Sequence, residues 1–148
     1  CMVTILDMTN TLNNYTGVNM KAGKIWGDTE SLLVTPMIEV HRINVMPHMH
    51  CSMHKHNMKW NMFYVIKGEL EIHSKKTDYE LIDVTKIKAG EWTTVPPGEY
   101  HMFQSTDLET QALEIYYLEA ISTDIIRESV GGFVNDTDTK QLLNEQLN

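Results

Sequence analysis

The chain is short of everything that staples, spans or binds polyanions. It has only two cysteines, Cys1 and Cys51, which cannot make a disulfide framework. No apolar run approaches the roughly 18 residues of a membrane span, and no signal segment is visible. Basic residues are outnumbered, 12 Lys and Arg against 20 Asp and Glu, giving a net charge of −8. A chain of that sign does not take nucleic acid or an anionic membrane as its main partner, since both reward clustered Lys and Arg. An anionic small molecule stays open, because one local arginine or metal ion can outweigh the global charge. A reducing, cytoplasmic setting is the expectation. Cys51 has three readings: a buried apolar residue, a group beside a functional site, or a reactive thiol.

Helical periodicity is also scarce. The 148 residues suit one domain. Residues 1–30 are polar and Asn/Thr-rich and read as an N-terminal extension. A β-domain is expected over 31–132, and from Ser31 to Glu119 the chain reads as successive short strands: Ser31–Ile38, Glu39–Met46, Trp60–Ile66, Glu69–His73, Tyr79–Ile87, Trp92–Val95, His101–Ser105 and Gln111–Leu118. Turn signals separate them, among them Pro47, Gly68, Ala89-Gly90 and Pro96-Pro97-Gly98. This pattern predicts an all-β antiparallel sandwich or barrel. A tail at 133–148 is partly helical by pattern, with Leu142, Leu143 and Leu147 near helical spacing.

What the chain does have is histidine in one place. His48, His50, His54 and His56 crowd into nine residues. On an extended segment His50, Ser52, His54 and His56 share a face, and an i, i+2 histidine pair is a natural chelating unit. Asn61 opens the strand that follows and shares its face with Phe63 and Val65. The Pro96-Pro97-Gly98 turn returns the chain so that His101 stands opposite the His54/His56 pair. His54, His56 and His101 are therefore the expected ligands of one divalent metal ion, with Asn61 as a fourth ligand or substrate contact. The metal (Zn, Fe, Mn or Ni) is not readable from the ligands. His41 and His73 read as surface or satisfied strand residues. His48 reads as a loop residue, and His50 as a loop residue or a lining of the cavity mouth, where it would touch substrate. Ten methionines, several between Met46 and Met62, suit an adaptable lining or core filling.

The spacing His54-x-His56-x4-Asn61-x6-Gly68 resembles the first motif of the cupins, with Asn61 where a Glu is usual. Gly90-x5-Pro96-x-Gly98-x2-His101 resembles the second, with Ser105 at its customary closing Asn. The resemblance implies a single cupin barrel (a double-stranded β-helix or jelly roll) and a metal site at the three histidines. A fainter similarity covers most of 24–132. Lys24-Ile25-Trp26-Gly27, His41-Arg42-Ile43, Cys51-Ser52-Met53-His54, Leu113-Glu114-Ile115 and Asp124-Ile125-Ile126-Arg127 are similar to segments of type II mannose-6-phosphate isomerases. That likeness implies a sugar-phosphate substrate, with Arg127 at the phosphate; a guanidinium suits a bidentate phosphate clamp. Asn61 leaves the ligand set three neutral imidazoles and at most a weak amide, which keeps more positive charge on the metal.

Three functions follow as alternatives. The first is an isomerase or epimerase of a phosphorylated or nucleotide-linked sugar. The second is a three-histidine ferrous dioxygenase, and the third a non-catalytic small-molecule binder. No side chain declares itself as the base an isomerase needs. Glu114 qualifies only if it faces inward, and Leu113 and Ile115 beside it suggest that the core lies on the other face. A homodimer is expected, because exposed strand edges are a liability that pairing removes.

Overall fold

A computed structural model describes residues 19–76 and 81–119. Nine strands form: β1 (Met20–Lys24), β2 (Gly27–Val34), β3 (Ile38–Val45), β4 (Trp60–Lys67), β5 (Glu69–Lys75), β6 (Ile82–Lys88), β7 (Trp92–Val95), β8 (Tyr100–Ser105) and β9 (Thr110–Tyr117). They pair antiparallel in two sheets, one ordered β1-β2-β3-β9-β4-β7 and the other β6-β5-β8. Among the described residues there is no helix, and so none long and apolar enough to cross a membrane. The expected helical segment at the C-terminus and Arg127 lie outside the described residues.

The central strands β4, β5, β8 and β9, and the end of β3, bury every second side chain, as a pleated strand with one wet face should. Ile43 and Val45 point inward from β3, Phe63 and Val65 from β4, Leu70 and Ile72 from β5, Phe103 from β8 and Ala112 from β9. With Trp26, Cys51, Ile87 and Val95 they make one core between the sheets. The Trp26 ring meets Phe103 edge-on at 4.9 Å, the geometry that aromatic quadrupoles favour.

The sheet starts earlier than the sequence suggests. Met20–Lys24 pairs with β2 in full register, from Met20 against Ser31 to Lys24 against Gly27, whereas 1–30 was expected to be an extension. Its polar, glycine-containing sequence hides a strand exposed along its whole length. The expected first two strands also shift. They are separated by Thr35–Met37, where Thr35 Oγ1 accepts from the Met37 and Ile38 amides.

Two glycines are required by contact as well as by φ. Gly27 has φ +147°, and a Cβ there would run into the Asn44 carbonyl. Gly68 has φ +84°, and its Cβ would stand 2.6 Å from both the Glu109 carbonyl and Thr110 Oγ1. Gly68 lets β4 turn directly into β5 above the start of β9.

Candidate metal centre

The histidine segment does not become a strand. Residues 46–59 run irregularly beside β8, touching it by isolated bridges from His50 to Gln104 and from His54 to His101. Cys51 N donates to the Phe103 carbonyl at 3.1 Å, while His54 and His101 exchange backbone bonds of 2.9 and 2.7 Å. Three residues on the loop side thus answer two on β8, a bulge that re-aims side chains. The bulge breaks the simple alternation: His54 turns toward His101, but His50 stays exposed with Nδ1 against the Cys51 carbonyl at 2.8 Å. His50 does not line the cavity described below.

Ser105 fastens the loop. It is buried, its Oγ donates to the Met46 carbonyl at 2.6 Å, and it accepts from the Met49 amide at 3.0 Å. The Pro96–Gly98 turn holds the other end through the Gly98 amide, which donates to the His56 carbonyl at 2.7 Å. Loop, turn and β8 together deliver the three histidines.

One ring nitrogen from each of His54, His56 and His101 lies within 4.8 Å of the others. The ring centroids stand 5.1 Å apart for His54 and His56, 4.7 Å for His54 and His101, and 5.5 Å for His56 and His101. Backbone carbonyls fix two of the tautomers. His54 Nδ1 donates to Ser52 O at 2.7 Å and His101 Nδ1 to Glu99 O at 3.0 Å. Each Nε2 then carries the lone pair, the outer-shell arrangement that orients metal-bound histidine, and that of His101 accepts from the Asn61 amide while no ion takes it.

The charge states suit a metal. Burial, then the neighbouring His54 and His101, push His56 down to about 4. Burial also lowers His101, against the opposing pull of the Glu99 carbonyl. Both are neutral ligands at ordinary pH. His56 Nε2 is buried without a hydrogen-bond partner among the described residues. A buried ring nitrogen left in that state is costly unless an ion takes it. The donor set of three imidazoles and this orphaned atom fit a divalent metal ion.

Two further groups complete the wall. Glu114 is buried and faces inward from β9, opposite Phe63 on β4 and His41 on β3. This corrects the expectation that the core lies on the far side of that strand. Leu113 and Ile115 are apolar residues of the outer face and only half-buried. Glu114 Oε1 accepts from Asn61 Nδ2 at 3.1 Å and from the Tyr116 hydroxyl at 2.8 Å. Asn61, fully buried, also places Nδ2 3.1 Å from His101 Nε2, and its Oδ1 has no partner among the described residues. Burial, then the Glu114 charge, raise the Tyr116 phenol far above its usual range, so it remains a donor.

A cavity of about 360 Å³ opens onto this group, lined in part by Lys24, His41, Ser52, His54, Glu114 and Tyr116. His41 is half-buried there and satisfied by Ser31 at 3.2 Å and Glu39 at 3.4 Å. Cys51 also touches the cavity, but burial pushes its thiol up to about 12. It is a packed core residue, not a thiolate ligand.

No protein-family profile and no curated protein matches the chain in sequence. Its architecture matches many solved structures. The cupin domain of Schizosaccharomyces pombe Cnp3 superposes with a TM-score of 0.54 at 13% identity, covering 62% of this chain and 64% of that one. The fold is a cupin barrel. KdgF from Halomonas sp. is similar at a TM-score of 0.54 and 12% identity, over 63% of this chain and 79% of that one. Bacillus subtilis oxalate decarboxylase, studied for its Mn(II) centres, superposes at 0.61 and 13% identity over 72% of this chain. The match spans only 29% of the decarboxylase chain. On this fold, His54, His56 and His101 form a cluster able to hold a metal ion.

Proposed function

We propose that the protein is a metal-dependent isomerase or epimerase of a small hydroxy-carbonyl substrate of the sugar-phosphate type. The observation that carries this reading is the carboxylate of Glu114 on the wall of the cavity that His54 also lines, His54 being one of the three clustered histidines. His54, His56 and His101 would hold a divalent ion, which would supply Lewis acidity toward a carbonyl and hydroxyl pair. The protein's own part is to take and return a proton. Glu114 Oε1 is engaged by Asn61 and Tyr116, while Oε2 has no protein partner among the described residues and serves as the acceptor. Lys24 brings a positive charge to the cavity wall and has no ion-pair partner among the described residues, which suits a substrate with an anionic end. The test is thermal unfolding of the metal-loaded protein against a panel of aldose and ketose phosphates. The expected hit raises the melting temperature and is isomerised, and Glu114→Gln lowers kcat by about 10²–10⁴-fold. A panel without any shift sinks the reading.

One observation favours a second reading. Asn61 turns its amide nitrogen, not an oxygen, toward His101. Three imidazoles and no carboxylate ligand would also suit a ferrous ion, which would supply oxygen chemistry. Oxygen consumption by the iron-loaded protein with a chelating substrate supports that alternative. Stoichiometric zinc without iron in protein from its native host counts against it. Binding without turnover would mark a sensor or storage protein.

A further inference from the structure

The first cupin motif usually brings a carboxylate at the position Asn61 occupies, so this site lacks one on β4. The structure supplies a carboxylate from another strand. Asn61 on β4 stands opposite Tyr116 on β9, and Phe63 stands opposite Glu114, so Glu114 and Tyr116 lean over Asn61 from the neighbouring strand. The amide of Asn61 reaches both ways, 3.1 Å to Glu114 Oε1 and 3.1 Å to His101 Nε2. Its orientation follows from chemistry. A carboxylate oxygen requires a donor, and reversing the amide would set Oδ1 against Oε1, two acceptors face to face. The orphaned Oδ1 is the cost of that choice, and a strong charge-assisted bond to Glu114 outweighs it.

We propose that Glu114 is the carboxylate of the metal centre, acting from outside the ligand set, and that Asn61 is a positioning residue that holds Glu114 in place rather than a ligand. The inference rests on the metal-binding reading above. Glu114 is not among the groups close enough to share one ion with the three histidines. It acts by its charge and by keeping the Asn61 amide engaged when an ion takes the His101 lone pair in its place. Tyr116 fixes the carboxylate from the other side and packs edge-on against the His56 ring at 4.9 Å. One chain of contacts, His56–Tyr116–Glu114–Asn61–His101, therefore encloses two of the three expected ligands.

The test uses Co(II) alone as the probe, titrated into the full metal-free chain and read by visible absorption and by competition with a chelator. Glu114→Gln keeps shape and removes charge; it is expected to weaken Co(II) binding about 10–100-fold, the usual effect of losing an outer-shell partner. Asn61→Ala is expected to weaken binding by less than Glu114→Gln, because losing the carboxylate's anchor is partly offset by freeing the His101 lone pair, and to leave the ligand-field spectrum unchanged. The double variant should lose no more than the worse single one, because Asn61 acts through Glu114. Multiplying losses, or a changed spectrum in Asn61→Ala, overturn the proposal by making Asn61 a ligand. Unchanged affinity in Glu114→Gln overturns it too. If Asn61→Ala does not fold, Tyr116→Phe removes the other donor to the same oxygen and takes its place in the cycle, with the same expectation. Failure of the wild-type chain to bind Co(II) would refute the metal-binding reading itself. Binding by the wild type with no loss in Glu114→Gln refutes this inference alone.

Discussion

Burial settles the charge of His56 and His101 before any ion arrives, and that has a measurable sign. An exposed histidine in the unfolded chain titrates near 6.5. Burial and its histidine neighbours hold folded His56 down at about 4, and His101 is lowered as well. The folded state thus binds fewer protons than the unfolded one in this window. The stability these residues contribute is present above pH 6.5 and is lost as the pH falls toward 4. For metal-free protein the urea midpoint should drop between pH 7 and pH 4.5, and His56→Gln should make that drop smaller. An identical drop in the variant would show that other groups carry it. At this scale the sequence was largely legible. The spacing of His54, His56 and His101 pointed to one cluster because histidines at those intervals have few other reasons to coincide. Glu114 was not legible, because the outer face of β9 is as apolar as an inner one, and Leu113 and Ile115 mask the alternation. The better signal was parity with small Ala112, which only a packed interior would place there.

Strands and turns carry a different kind of information. Seven of the nine strands, β3 to β9, could be read from β-branched and aromatic runs between turn residues, with ends off by no more than three positions, and β2 was read four positions late. β1 escaped because an exposed edge strand has no buried face to imprint a pattern. The loop at 46–59 escaped because its conformation comes from bonds to β8, which local sequence does not encode. Turn glycines were legible, and Gly68 shows why. Its φ of +84° and the 2.6 Å approach to Glu109 O and Thr110 Oγ1 leave no room for a side chain. Gly68→Ala is expected to cost roughly 1–3 kcal/mol from backbone strain, measured by urea unfolding of the metal-free chain. It should also disturb Thr110, whose hydroxyl donates to the Glu69 carbonyl at 2.6 Å. Wild-type stability in that variant would mean that the β4–β5 turn relaxes freely.

Across the whole molecule, the site is where the two sheets meet. β8 in one sheet supplies His101, β4 and β9 in the other supply Asn61, Glu114 and Tyr116, and the loop between β3 and β4 supplies His54 and His56. An ion bound there clamps elements that separate on unfolding. Free metal at about 100 times its dissociation constant should add roughly 2.7 kcal/mol of stability. Chelation should lower the melting temperature of the wild-type protein and leave His54→Ala/His101→Ala unchanged. Equal melting curves for wild type with and without metal would show that the three rings do not bind it.

The paired backbone bonds between His54 and His101 have one more consequence. Those two residues are stitched to each other through both amides, 2.9 and 2.7 Å, so their separation is set by the main chain. His56 hangs two residues further along, its carbonyl held by the single amide of Gly98 at 2.7 Å. A larger or smaller cation bound there would be accommodated by swinging that one arm, with the other two as a fixed jaw. Substitutions in the Pro96–Gly98 turn are therefore expected to change tolerance for ions of different radius, read by metal titration.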